Sequence, residues 1–266
     1  MSLLSHKGKI VWKSGKNTII DCIGCGFYHA YPIPQLEDLE KMYSYKFYEK
    51  IKPNYIKKDE SEIDYWNITF DDKLDILEKK IRKKNRSILD IGCGPGFFLQ
   101  RAQKRGWDTL GIEPSLKAAK YAKEKGISIV ESTFESFILT NKSKFDAIHS
   151  KFFLEHVRDP FSVCKHCFDL LKPNGILCFE VPNDFNLLQE IVVNTLNKPP
   201  YWIEPTQHVN YFSHKTLKKL LIKCGFNPIY SESTFPLEFF LLSGMDYVNN
   251  EKIGKKIHSM RMNFES

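Results

Sequence analysis

The sequence predicts an α/β fold: a doubly wound, mainly parallel sheet with helices on both faces, plus a small N-terminal hairpin and helical appendage. Three observations predict it. Short apolar strands alternate with helices from Ser87 to Val181. The first of these strands runs into a glycine loop that opens a helix, Gly92-Cys93-Gly94-Pro95-Gly96. The second ends in an acid, Glu113, nineteen residues after Gly94. Alternation of this kind argues for right-handed crossovers, with the strand C-termini along one edge where ligands bind.

The elements follow in order. Lys9–Lys13 and Thr18–Cys22 flank Ser14-Gly15-Lys16-Asn17 and read as a hairpin. Pro32-Ile33-Pro34 breaks regular structure, and a helix is expected from Gln35 to about Tyr48. Another spans about Glu62 to Lys84, with Ile68, Leu74, Leu77 and Ile81 among its apolar positions. Strands are expected at Ser87–Ile91, Thr109–Glu113, Ile127–Val130, Phe145–His149 and Ile176–Val181. Helices are expected at Phe97–Arg105, Leu116–Lys125, Phe161–Leu171 and Thr216–Cys224, and Asn227–Thr234 reads as a sixth strand. Residues 1–60 form the appendage in this division, 61–235 the main domain and 236–266 a helical tail.

Composition narrows the function classes. Of 266 residues, 42% are hydrophobic and 27% charged, which excludes a disordered or fibrous chain. No apolar run approaches the ~20 residues of a membrane span. The start, Met1 to Lys7, lacks the apolar core of a secretion signal. Seven cysteines, an odd number, read as reduced thiols, so a cytoplasmic protein is expected. The net charge of +7 is spread evenly over residues 1–85, 86–185 and 186–266, so no nucleic-acid partner is expected. The densest basic cluster, Lys79-Lys80 with Arg82-Lys83-Lys84, reads as a solvated helix end.

A glycine loop followed by an acidic strand end points to a nucleoside-containing cofactor, whose ribose hydroxyls the carboxylate accepts. A dinucleotide site would favour G-x-G-x-x-G with no acid just before it. Here the block is Ile88-Leu89-Asp90-Ile91-Gly92-Cys93-Gly94-Pro95-Gly96. With it the sequence resembles the class I S-adenosylmethionine-dependent methyltransferases, a Rossmann-like family, over roughly residues 85–235. The blocks Leu154-Glu155-His156-Val157-Arg158-Asp159-Pro160 and Leu171-Lys172-Pro173-Asn174-Gly175 are similar to those of its small-molecule members of the quinone and sugar type. The resemblance implies that Gly92, Gly94 and Gly96 wrap the methionine end of S-adenosylmethionine, with Asp90 near its amino group. It further implies Glu113 on the ribose, Pro114-Ser115 beside the adenine, and Ser132, Thr133 and Phe134 flanking the base. The product would be S-adenosylhomocysteine.

For a hydroxyl acceptor a histidine base suits neutral pH. His156 follows the fourth strand of the series. His208 lies in the polar-aromatic loop Glu204–Ser213. Each also has a structural reading: His156 as a ring bonded to a backbone carbonyl, His208 as the approach to a helix capped by Ser213. The expected acceptor pocket comprises Tyr55–Trp66, the Phe152–His156 turn and the Pro182–His208 stretch. The expected acceptor is a small molecule, a sugar or sugar nucleotide of surface-glycan synthesis first and a quinone-like phenol second. A catalytically silent cofactor-binding partner protein is the reading of a different class.

Three further signals are set aside. Asn197-Lys198-Pro199-Pro200-Tyr201 reads as a loop, and Tyr121 with Lys125 as helix surface. Cys22-Ile23-Gly24-Cys25 has the spacing of half a zinc knuckle, with His6 and His29 the only nearby substitutes for a second pair. The segment, carried on to Tyr43, resembles the N-terminal piece of certain sugar or surface-glycan methyltransferases, some of which bind zinc through four cysteines. Because only two cysteines stand here, the thiols are read as buried, as are Cys164 and Cys167, and no metal is assigned.

The family's usual antiparallel final strand has no counterpart after Phe235. Its absence is read as a chain shortened before that strand. The Phe239–Leu242 face of the apolar run Leu237–Leu242 is expected to be exposed, and the tail to pack on its own domain or on a second copy as a homodimer.

Overall fold

The computed structural model describes residues 6–265, apart from the side chains of Tyr45, Lys46 and Tyr48. Met1–Ser5, part of the start read as lacking a leader, and Ser266 lie outside the described residues. Strand β1 (Gly8–Ser14) turns through Gly15 and Lys16 into β2 (Asn17–Cys22), as the hairpin pattern requires. Gly15 has φ of 57°, a turn conformation that glycine adopts without strain. Strand β3 (Tyr28–Ala30) pairs antiparallel with β2. Past the prolines come a helix at Leu36–Lys41, a π-helical stretch at Met42–Ile51, and helices at Tyr55–Ser61 and Ile63–Lys80.

Five parallel strands follow: β4 (Arg86–Ile91), β5 (Trp107–Ile112), β6 (Ile129–Val130), β7 (Phe145–Lys151) and β8 (Leu171–Glu180). Their order in the sheet is β6-β5-β4-β7-β8. Helices at Phe97–Lys104, Leu116–Glu124, Phe134–Thr140 and Pro160–Leu170 occupy the connections. The Phe134–Thr140 helix was not legible in advance, because its few residues are too short for a helical period to declare itself. Lys172–Gly175, read as a turn before the strand, lies within β8 as a bulge: Phe145 pairs with Leu171, and Ala147 next with Ile176. Strand β9 (Asn210–Tyr211) pairs with β3 and completes a four-stranded antiparallel sheet, β1-β2-β3-β9.

The chain divides into two compact units, residues 32–181 and residues 1–31 with 182–266. This differs from the three consecutive segments expected from the sequence. The pairing of β3 with β9 ties the hairpin to the C-terminal part, a link with no local signal.

In the 32–181 unit the core forms where Leu74, Leu77, Ile88, Leu99, Ala102 and Trp107 pack together. Each fully buried aliphatic side chain contributes about 1.5–3 kcal/mol. One polar cluster ties two helices together: Asp71, Asp75 and Glu78 pair with Arg101 and Arg105. The basic cluster Lys79–Lys84 closes a helix that ends at Lys80, and its lysines and arginine are exposed, as expected. Buried Cys164 and Cys167 sit in the Pro160–Leu170 helix, and Tyr121 donates to Glu60 from a helix surface. Lys198, in the proline loop, pairs with Asp246.

Gly111 in β5 escaped notice in the sequence. A Cβ there would lie 2.5 Å from Cys93 Sγ and Ile129 Cδ1 and 2.8 Å from Leu99 Cδ1. Its neighbours hold the glycine loop, so the strand must pass beneath without a side chain. Gly111→Ala is expected to destabilise the fold by about 1–3 kcal/mol through overpacking. A urea midpoint equal to that of the parent would contradict this.

In the other unit Ile19, Ala30, Ile203 and Tyr211 form the core, with Trp12, Phe185 and Trp202 against it. Asn227–Thr234 forms no strand, which corrects the sixth-strand reading. Pro228 supplies no N–H for a ladder, and Ile229 and Tyr230 are both 55% exposed, so the alternating pattern buries nothing. The parallel sheet has no antiparallel strand among the described residues. Helices form at Glu238–Leu242 and Glu251–Glu265. The apolar run is not an exposed face: Phe240 and Leu241 are buried and Phe239 alone of the run's large side chains is exposed, at 48%. Phe235 gathers Phe239, Phe240 and Phe264 around it at 5.3–5.8 Å between ring centres, so the tail packs on its own unit. Among the described residues, no helix is long and apolar enough to cross a membrane.

Candidate functional site

Parallel pairing brings the C-termini of β4, β5, β7 and β8 to one edge, and the site is built there. Gly92, Gly94 and Gly96 all have φ between 54° and 78°. Gly96 opens the Phe97–Lys104 helix from a left-handed conformation. A Cβ on it would also press Ala122 at 3.2 Å, so this position is closed to other residues twice over. The N–H groups of Gly92 and Cys93 both donate to the Ile112 carbonyl, which pins the loop to the end of β5.

Glu113 follows directly. One of its oxygens accepts the Gly94 N–H at 2.9 Å and the other accepts the Ser115 N–H at 2.9 Å. The side chain therefore joins the loop to the next helix, which Ser115 caps. Burial pushes its carboxyl up to about 7 against the pull of those two N–H groups, with Asp90 adding to the rise. Asp90 is buried and bonded at 2.7 Å to Nδ1 of His149, its register neighbour on β7. The Phe98 ring stacks on that imidazole at 3.7 Å. Pro114 lies between Glu113 and the Ser115 cap. Ser132 donates to the Thr133 carbonyl, and Thr133 caps the Phe134–Thr140 helix. The Phe134 ring is 2% exposed and meets Phe153 edge-on, so it faces the packed interior.

His156 stands in the turn after β7. Its Nδ1 is 2.6 Å from the Tyr43 hydroxyl, and its Nε2 is 3.8 Å from an oxygen of buried Glu155. Burial first, and Glu155 next, raise the Tyr43 pKa far above the phenol range, so Tyr43 stays neutral. His208 belongs to the other unit, where it lies half-buried after a turn closed onto the Glu204 carbonyl. Of the three segments expected to line an acceptor pocket, Tyr55–Trp66 and Phe152–His156 fall in the 32–181 unit and Pro182–His208 in the other.

The sequence reading missed a charged group at the same strand edge. Lys151 ends β7 and Glu180 ends β8; they pair at 3.3 Å, and Lys73 reaches Glu180 at 3.1 Å. The Lys151 ammonium lies 4.0 Å from the centre of the Trp66 ring. Burial opposes the Glu180 charge, yet Lys151 and Lys73 outweigh it and hold its pKa below the ordinary value. Burial, partly offset by Lys151, raises Asp59 to about 6. The available signal was a charged residue at the C-terminal end of each of two strands. Tyr43 is named in the N-terminal resemblance but has no site role there, because the π-helical stretch that presents it breaks the 3.6-residue period.

A buried carboxylate at a strand end, with no cation beside it among the described residues, and a glycine loop that tolerates close approach together fit a ribose and the chain attached to it. Residues 65–231 match the family model described as a methyltransferase domain, which is more than half of the chain. The chain belongs to the class I S-adenosylmethionine-dependent methyltransferases.

Curated relatives of this methyltransferase agree at the family level. It is 36% identical to the ubiquinone biosynthesis O-methyltransferase of Actinobacillus pleuropneumoniae serotype 7 (strain AP76), over 42% of this chain and 52% of that protein. It is 38% identical to the protein of the same name from Histophilus somni (strain 2336), over 37% and 45%. The chain thus spans about half the length of the curated relatives it matches. Among solved structures, the plantazolicin methyltransferase BpumL in complex with SAH shares the fold. Its TM-score is 0.53 at 17% identity, over 84% of this chain and 89% of that one.

The Glu113 shift gives the methyltransferase a pH signature. With the ribose on Glu113, as the resemblance implies, its hydroxyls would donate to the ionised carboxylate, and cofactor binding would favour loss of the proton. Affinity for S-adenosylhomocysteine is expected to rise with pH and level off above about 7. Below that, it should fall by up to about tenfold per pH unit. The same raised carboxyl makes the unliganded fold lose stability as pH climbs from the ordinary carboxylate range to about 7. Calorimetric titrations from pH 6 to pH 8 check this; affinity that falls with rising pH would reverse the assignment.

Proposed function

We propose that this chain transfers a methyl group from S-adenosylmethionine to a hydroxyl of a small molecule. The observation that carries the reading is Glu113, buried at the end of β5 and joined through Gly94 to the glycine loop. When bound, S-adenosylmethionine supplies a methyl group activated by the adjoining sulfonium. Glu113 accepts the ribose hydroxyls; Gly92, Gly94 and Gly96 let the backbone pass close to the methionine end; Asp90 lies toward its amino group. Pro114, Ser132 and Phe134 border the adenine side, Phe134 by packing from below.

His156 is the base in this reading. In the tautomer with the proton on Nδ1, the Tyr43 oxygen accepts it, and Nε2 carries a lone pair. Nε2 would then take the hydroxyl proton of the acceptor that gains the methyl group, the bond from methyl to sulfur being the one lost and S-adenosylhomocysteine the group that leaves. Glu155, 3.8 Å from that same nitrogen, stabilises the resulting imidazolium by its charge. His208 is the second candidate, on the sequence argument alone.

A phenolic, quinone-like acceptor is supported by the curated relatives, which are ubiquinone biosynthesis O-methyltransferases by name. The sugar or nucleotide-sugar reading is favoured by the Cys22–Cys25 segment. A panel of catechols, phenols and nucleotide sugars, with methyl transfer followed by mass spectrometry, tests the proposal. Transfer to one class names the acceptor. Tight cofactor binding without transfer to any hydroxyl would favour the silent-partner reading.

A further inference from the structure

Four metal-ligating side chains outside the cofactor site converge on one point. They are His6, just before β1; Cys22, ending β2; Cys25, in the turn that follows; and His29, in β3. One ligand atom from each lies within 4.8 Å of all the others. His6 Nδ1 is 3.1 Å from His29 Nε2, 3.5 Å from Cys25 Sγ and 3.9 Å from Cys22 Sγ.

These separations carry chemical content. A tetrahedral zinc ion has bonds of about 2.3 Å to sulfur and 2.0–2.1 Å to nitrogen. The edges of such a tetrahedron are roughly 3.3–3.4 Å between nitrogens and 3.6 Å between nitrogen and sulfur. The observed nitrogen–nitrogen distance falls a few tenths of an ångström short of its edge, and the two nitrogen–sulfur distances bracket theirs. Neither cysteine is in a disulfide. His29 donates its Nδ1 proton to its neighbour's carbonyl, Ala30 O, at 2.8 Å. That bond fixes the tautomer and turns the Nε2 lone pair toward the other three groups, as outer hydrogen bonds do for metal-bound imidazoles.

The backbone is shaped to the same end. Gly26 takes φ of 79° and donates to the Cys22 carbonyl, and Cys22 N–H donates to Phe27, closing the knuckle. Ile23 N–H donates to the Lys7 carbonyl at 3.0 Å and holds His6 against it. Cys22 and His29 are buried, 0% and 1% exposed, while His6 and Cys25 are half-buried and leave an entry path.

We infer that His6, Cys22, Cys25 and His29 form a Cys₂His₂ structural zinc site. This departs from the sequence reading, which assigned no metal to these thiols. Four protein ligands fill the tetrahedron, so the site is closed and its task is to hold together the start of β1, the end of β2 and β3. Binding displaces two thiol protons, one from each cysteine, to water. The inference stands apart from the methyltransferase reading.

The test is metal analysis of the full chain, purified under reducing conditions without chelator and then exposed to zinc or to cobalt(II). One zinc per chain is expected, with a cobalt derivative showing tetrahedral d–d bands and thiolate-to-cobalt charge transfer. A chelator should lower the melting transition. Cys25→Ser and His6→Ala should each lose the metal or bind it at least tenfold more weakly. His6→Ala removes a half-buried ligand and carries the test if Cys25→Ser fails to fold. Absence of stoichiometric metal after exposure, a cobalt spectrum without thiolate charge transfer, or undiminished binding in His6→Ala would overturn the inference.

Discussion

His156→Ala should lower the methyl-transfer rate about 10²–10⁴-fold, the range over which a positioned general base acts. The imidazole is held from two sides, by the Tyr43 hydroxyl at Nδ1 and by the Glu155 carboxylate near Nε2. Neither partner contacts the glycine loop among the bonds described above. Affinity for S-adenosylhomocysteine should therefore change little, while the rate falls. Tyr43→Phe should cause a smaller loss, because it frees the ring to rotate and leaves the base in place. Single-turnover rates beside calorimetric affinities separate these effects. Equal loss of rate and cofactor affinity would make His156 a support of the fold.

Glu113→Ala attacks the other half of the site. Hydrogen bonds to a charged group contribute about 1.5–3 kcal/mol each, so the loss of the ribose contacts should weaken cofactor binding tenfold or more. The variant also leaves the Gly94 and Ser115 N–H groups without their carboxylate. Glu113→Gln is the control, since its amide oxygen still accepts one of those bonds. It should fold nearly as the parent does, bind more weakly, and lose the rise of affinity with pH. Unchanged affinity in Glu113→Ala would place the ribose elsewhere.

The parts of this molecule that were legible in the sequence are those whose signals are local. Asp90 to Gly96 declares itself because tight turning and close approach need glycines within a few residues of a strand end. Glu113 is legible because it ends the next strand. The five parallel strands are legible because burial on both faces leaves short, continuous apolar runs.

What could not be read depends on residues far apart in the chain. Strand β9 is two residues long and pairs with Tyr28 and His29, some 180 positions earlier, so no periodicity announces it. The bond between Asp90 and His149 exists only because β4 and β7 are neighbours in that register. Cys22 and Cys25 were visible as half of a ligand set. His6 joins them because β1 pairs with β2 so that Gly8 faces Cys22, and His29 joins because β3 returns alongside. The error at Asn227–Thr234 has the opposite origin: an acceptable local pattern found no strand to pair with.

The central claim is that the cofactor lies between the glycine loop and Glu113. A crystal structure of the chain with S-adenosylhomocysteine bound tests it most directly. The predicted result has both ribose hydroxyls within hydrogen-bonding distance of the Glu113 carboxylate and the homocysteine end along Gly92–Gly96. A ribose bound away from Glu113, with the glycine loop making no contact to the ligand, would contradict it.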